Sequence, residues 1–284
     1  MSIASNPEAG EIRQPVHVTN VLVEGETGNR RRISRANVER FISICSPLFL
    51  LAIWEIAAQT GRIDTRFFPA PSAVFRTAGT MIQSGELWAN LSVSLVRIAV
   101  GFTIGAVPAV IVGLAMGLFS PVRAVVQPLI DALFPIPKIA ILPLFILIFG
   151  IGESSKYAII AVAVTFLVVI NTVAGVRNIE KVYLDVGRNF RASPLMIFTD
   201  IALPGALPMI ITGLKLGMGV ALLVLVSAEL VGAKSGIGFM LWQSYQVFQI
   251  EKTYVWLLVS AVLGFASAIL LNGMERVLIP WKPR

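Results

Sequence analysis

The sequence predicts an all-α, polytopic helical membrane protein with six transmembrane helices. Three observations carry this. The 284 residues are 56% hydrophobic and only 14% charged, with a mean hydropathy of +0.81. Soluble domains carry about 25% charged residues, and one water-soluble core cannot hide so much apolar side chain. Six apolar stretches, at about 41–60, 93–119, 125–149, 157–176, 205–231 and 254–274, each approach or exceed the roughly 20 residues that cross a bilayer as a helix. A polar, Arg-containing stretch, Asp185–Pro208, lies between the fourth of these and the body of the fifth.

Residues 1–40 form a polar tail ending in Arg30-Arg31-Arg32, Arg35 and Arg40. They lack the apolar core and small-residue cleavage site of a signal peptide, so a retained tail is expected, with the permeating body at 41–284. The positive charges set the orientation. With the N-terminus inside, the inner segments hold the tail arginines, Arg123, Arg177, Lys181, Arg188, Arg191, Arg276, Lys282 and Arg284. The outer segments hold only Arg62, Arg66, Arg76, Lys156, Lys234 and Lys252. The bias places both termini and the loop at about 177–204 in the cytoplasm. The formal charge of +7 therefore reflects topology, and no nucleic-acid partner is expected.

After the first span, Pro69-Ala70-Pro71-Ser72 reads as a rigid turn with Ser72 as an N-cap. Residues 73–91 then read as one helix. It lies either in the interface with Trp88 at headgroup depth or folded over the ends of the spans. In the second span, Gly101, Gly105, Ala109, Gly113 and Gly117 recur every four residues, and Gly213 and Gly217 repeat the pattern in the fifth. Small residues at this spacing let backbones approach closely in lipid, within one chain or across a dimer. Pro128, Pro135, Pro137 and Pro143 crowd the third span beside Asp131 and Lys138. Two outcomes are open there: a broken helix lining a cavity or hinge, or an interfacial kink with the two charges paired or snorkelling.

Glu55, Arg97, Lys215 and Glu229 lie inside spans, where ionisable groups are costly and face a cavity or a partner. Topology brings Arg97 and Glu229 to the same face. They form either a structural ion pair or, through Arg97, a field that favours an anionic solute in the pathway. Lys215 is expected to snorkel inward. No metal site and no Ser-His-Asp set is expected, because the one His is His17 in the tail and the one Cys is Cys45. Gly232-Ala233-Lys234-Ser235 lacks the first Gly and the strand of a phosphate-binding loop, so the chain is not expected to bind ATP or to be an enzyme.

The loop carries a resemblance. The "EAA" loop of bacterial ABC-importer permeases follows the pattern Glu-Ala-Ala, three residues, Gly, nine residues, Ile-x-Leu-Pro. With Asp185 at the Glu position, Ile201, Leu203 and Pro204 fall on the terminal triplet; Val186 and Gly187 replace the alanines, and Arg191 replaces the Gly. Further stretches resemble permeases of the nitrate/sulfonate/taurine/bicarbonate importer group. They include Phe68-Pro69-Ala70-Pro71, Ser94-Leu95-Val96-Arg97, the run from Pro135 to Leu144, Phe149-Gly150-Ile151-Gly152-Glu153, Leu203-Pro204-Gly205-Ala206-Leu207-Pro208, Ala228-Glu229-Leu230 and Gly236-Ile237-Gly238-Phe239-Met240.

The resemblance implies a type I ABC-importer permease in the bacterial inner membrane. It implies a working unit of two copies of this chain, two ATP-binding cassette subunits that bind the ATP and magnesium, and a periplasmic solute-binding protein. Asp185, Val186, Gly187, Arg191, Ala192, Ser193, Ile201, Leu203 and Pro204 would form the ATPase-coupling loop. The implied solute is small and polar: an anion such as taurine or another sulfonate, nitrate or bicarbonate, or else a compact heterocycle such as a vitamin precursor. Within the loop, Ser193 is expected to cap a second short helix that starts at Pro194 and buries Leu195, Ile197 and Phe198. Asp185 is expected near the start of the first. The alternative is a secondary transporter or channel without an ATPase. That would call for inverted repeats and ion-coupling carboxylates within the spans. A third reading is a membrane scaffold that has lost transport.

Overall fold

The computed structural model describes residues 35–281, with side chains from Cys45 onward. Most of the tail expected at 1–40 lies outside the described residues. The chain separates into two compact units, Met1–Phe49 and Leu50–Arg284. Among the described residues there is no strand.

The helices are α1 (Arg35–Gln59), α2 (Pro71–Gln83), α3 (Glu86–Leu118), α4 (Ser120–Leu133), α5 (Leu142–Phe149, preceded by a 3-10 turn at Lys138–Ile141) and α6 (Glu153–Arg177). They continue as α7 (Lys181–Asn189), α8 (Pro194–Met196), a π turn at Ile197–Ala202, α9 (Leu203–Gly232), α10 (Ile237–Gln246) and α11 (Ile250–Leu278). Among the described residues, four helical stretches are long and apolar enough to cross a membrane: Glu86–Leu118, Glu153–Arg177, Pro194–Gly232 and Ile250–Leu278. A fifth crossing exists if α4 and the segment Lys138–Phe149 count as one broken span. Cys45–Gln59 in α1 is a shorter apolar helix.

α6 is the centre of the second unit, because both of its neighbours offer it glycine. A Cβ added at Gly101 would stand 2.8 Å from the Ile160 side chain, and one at Gly113 would stand 2.6 Å from Thr172. One at Gly105 would run into the backbone of Ala161. From α9, Gly213 faces Asn171 at 2.8 Å and Gly217 faces Val164 at 3.3 Å. Both small-residue ridges therefore pack within the chain, on two neighbouring faces of α6. Ile159, Ile160, Val164, Val168 and Val169 fill the space between them.

The third expected span is not one helix. α4 and the following segment meet at 91°. Prolines at 135 and 137 remove two backbone donors, and Pro137 holds an extended ψ of 116°. Lys138 completes the corner. Its Nζ donates to the carbonyls of Leu133, Phe134 and Ile136, at 3.1, 2.8 and 2.8 Å, and the Leu133 carbonyl also accepts the Ile136 N–H at 3.3 Å. The ammonium also lies 4.4 Å from the centre of the Phe166 ring on α6. It does not pair with Asp131, which instead accepts from Gln127 one turn back.

The segment after α1 also departs from expectation. Ser72 is not the N-cap: Ala70 occupies that position and Pro71 opens α2. The cap comes from across the turn, where Glu55 accepts the Ser72 N–H at 2.9 Å and the Ser72 hydroxyl at 2.7 Å. The helix expected over 73–91 breaks at Ser84 and Gly85, and Gly85 takes φ 79°. Residues from Glu86 onward, including the exposed Trp88, belong to α3. α2 folds across α11, burying Val74 and Met81 with Val255 and Trp256.

Candidate functional site

Two constellations stand at opposite ends of α6 and α9. One is a buried charge cluster at the start of α6. The other is the polar loop that follows α6.

The cluster centres on Arg97, whose guanidinium is almost fully enclosed. Nη1 donates to Glu229 at 2.7 Å and to the Ser235 carbonyl at 2.6 Å. Nε and Nη2 grip Glu153 at 2.6 and 2.7 Å, a two-pronged pair. Glu229 is 0% exposed. It also accepts from Ser94 Oγ at 2.7 Å and from the Gly238 N–H at 2.8 Å. Ser94 Oγ accepts from the Ile237 N–H, and Asn90 accepts from the Gly236 N–H. The N–H groups of Gly236, Ile237 and Gly238 thus end on side chains of α3 and α9, with a carboxylate at the positive end of α10. Gly236 is essential to this closeness: its φ is 112°, and a Cβ there would strike both Glu229 and Arg97.

Two arginine-facing carboxylates and the nearby Lys156, which donates to the Gly152 carbonyl at 2.8 Å, make the cluster formally neutral. Four of the five Arg97 N–H donors end on protein groups, and the arrangement ties α3, α6, α9 and α10 together. Glu153 was assigned no partner from sequence. It lies outside the apolar run, in the first turn of α6, where an acid is also explained by the helix dipole.

Lys215 does not snorkel alone; it is ion-paired with Glu275 of α11. The pair stands beside an apolar cavity of about 680 Å³ between α9, α10 and α11, whose wall includes Leu222, Leu241, Leu257 and Gly264. Among the described residues no group of three His, Cys, Asp or Glu could hold a metal.

In the loop, α7 ends in a Schellman turn. The Ala192 N–H reaches back to the Gly187 carbonyl at 2.9 Å, and the Arg191 N–H reaches the Arg188 carbonyl at 2.9 Å. The residue that must turn left-handed is Arg191, at φ 54°. Glycine takes this conformation freely; for other residues it costs about 1 kcal/mol. Ser193 then caps α8, accepting the Met196 N–H at 3.2 Å, with Pro194 in the first turn. Gly187 is buried, and a Cβ on it would come 2.8 Å from Ile201 Cδ1. Two loop positions fourteen residues apart in sequence are thereby clamped together.

Asp185 is not at the start of a helix. α7 begins four residues earlier at Lys181, and Asp185 lies on its exposed side, 3.6 Å from Arg188. Val186 is also exposed. Ile197 and Phe198 are partly covered, but Leu195 is 70% exposed, against the expectation that it is buried. Phe190, which attracted no attention in the sequence, is 85% exposed beside it. The fifth apolar stretch, expected at about 205–231, starts earlier, at Pro194. The π turn carries α8 straight into α9, making one stretch of 39 residues. The wide turn sits just before Pro204, which has no N–H for the Asp200 carbonyl.

Residues 101–282 match the protein family described as binding-protein-dependent transport system inner membrane component. The chain is 33% identical over 269 residues to the taurine transport system permease protein TauC of Escherichia coli strain K12, covering 92% of this chain and 98% of that one. It is 34% identical over 236 residues to a protein of Bacillus subtilis strain 168 provisionally named as the aliphatic sulfonates transport permease SsuC, covering 83% and 86%. The likewise provisionally named SsuC of Escherichia coli strain K12 is 34% identical over 237 residues, covering 84% and 90%.

Proposed function

This chain belongs to the binding-protein-dependent transport inner-membrane family, as a multi-pass ABC-importer permease, and from that premise we propose the following working unit. Two copies of the chain form the translocation pathway in the bacterial inner membrane, with their termini in the cytoplasm. Two ATP-binding subunits hold the ATP and magnesium and dock on the 177–204 loop. A periplasmic binding protein delivers a small organic sulfonate, taurine or an alkanesulfonate. The chain itself hydrolyses nothing.

The single observation that carries the coupling role is the clamp between Gly187 and Ile201. It fastens α7 to the base of a continuous helix, so a push on α7 passes into α9 instead of being lost in a slack loop. The exposed Phe190 and Leu195 give a partner something apolar to grip. The sulfonate class rests on the names of the relatives, and the positive-inside count supports the orientation.

Reconstitution tests this. Proteoliposomes holding the chain, its ATP-binding subunit and its binding protein should accumulate taurine or an alkanesulfonate with ATP. They should not do so when either partner is left out. Nitrate and bicarbonate serve as competing solutes. ATP hydrolysis by the purified chain alone, or solute accumulation driven by an ion gradient without the ATP-binding subunit, would overturn the reading.

A further inference from the structure

Arg191 occupies a backbone position that favours glycine, at φ 54°, and its side chain is exposed. Among the described residues it has no ionic partner, whereas the neighbouring Arg188 is shared with Asp185. A glycine would make the same Schellman turn without strain. A long cation is thus held at the tip of the loop against the backbone's preference, and among the described residues no acidic group pairs with it. Strain of this kind is held by the surrounding structure and clusters at ligand clamps and switch regions. Phe190 and Leu195 flank the cation with exposed apolar surface.

We propose that Arg191 is a partner-selecting residue: its guanidinium pairs with a carboxylate on the cognate ATP-binding subunit and distinguishes that subunit from ones matched to a glycine turn. The inference rests on the importer reading above. A protein carboxylate is favoured over a lipid headgroup by reach. The helix from Pro194 to Gly232 has 39 residues, or about 58 Å at the helical rise, against about 30 Å of hydrocarbon. Glu229 and the cluster around it stand near one end of that helix; with that end set at one edge of the hydrocarbon, the helix is long enough to carry the Arg191 end past the other edge.

The test uses full-length permease in nanodiscs of neutral lipid, titrated with its ATP-binding subunit at low and high salt. Arg191→Gly should raise the thermal midpoint of the permease slightly by removing the strain. It should weaken subunit association about tenfold, as loss of one charged hydrogen bond does, and flatten its salt dependence. Arg191→Lys should keep part of the affinity, and Arg191→Glu should lose more than the glycine variant. Wild-type affinity and salt dependence in Arg191→Gly would overturn the proposal. So would an effect that appears only when the nanodiscs contain anionic lipid, which would assign the cation to the membrane. If the wild-type chain binds no ATP-binding subunit at all, the importer reading fails first and this inference with it.

Discussion

The Arg97 cluster shows how a charge becomes tolerable inside an apolar helix bundle. Glu229 has no exposure, and its oxygens are filled by Arg97, Ser94 and the Gly238 N–H. Removing one partner of such a pair strands the other charge; removing both takes partners from Ser94, the Gly238 N–H and the Ser235 carbonyl but leaves neither charge of the pair stranded. Arg97→Met should therefore cost about 3 kcal/mol in unfolding free energy, while the double change Arg97→Met with Glu229→Met should cost less than either single change. Denaturation of the purified protein in detergent checks this, and additive losses would mean that the two residues do not act as a unit. Arg97 and Glu229 could be placed together from sequence because topology brings them to one face. The rest of the cluster could not. Ser94, Asn90 and Ser235 are ordinary polar residues until α10 folds back between α3 and α9, and that return is set by Gly236 and Gly238, not by any periodicity. Ser72 failed for a related reason. Its local pattern suits a cap, but a carboxylate seventeen residues earlier reaches the same donors.

At the scale of elements, the glycine ridges were legible and their partner was not. Spacing says that something approaches closely; only the packed bundle shows that both ridges clasp α6. Two glycine substitutions separate packing from helix propensity. Gly105→Ala drives a methyl into the Ala161 backbone, which cannot rotate away, and should destabilise by about 1–3 kcal/mol. Gly79→Ala lies in α2 with nothing within 4 Å of the new methyl, and should stabilise by about 0.5–1 kcal/mol through the reduced entropy of the unfolded chain. Thermal unfolding of both variants side by side gives the answer, and equal signs would refute the seam. The third span shows the limit of reading prolines. They mark a break, but the 91° corner depends on Lys138 supplying three hydrogen bonds that no local rule assigns to a lysine in an apolar run.

At the scale of the whole molecule, the apolar stretches and the charge bias were enough to expect a helical membrane protein whose loop end faces inward. The number of crossings was harder, because length and hydropathy cannot tell a straight span from a bent pair. Orientation can be measured directly. In a Cys45→Ser background, single cysteines at Asp64 and at Arg188 should react with a membrane-impermeant thiol reagent from opposite sides of sealed vesicles. Labelling from the same side would break the assigned topology.

The central position of α6 also fixes its phase. Each residue advances a helix by about 100°. One insertion or deletion between Gly101's contact at Ile160 and Gly113's contact at Thr172 would turn part of α6 out of step with α3 and with α9 at once. The helix works like a gear meshed on two faces. Its length between Glu153 and Arg177 is not free to drift.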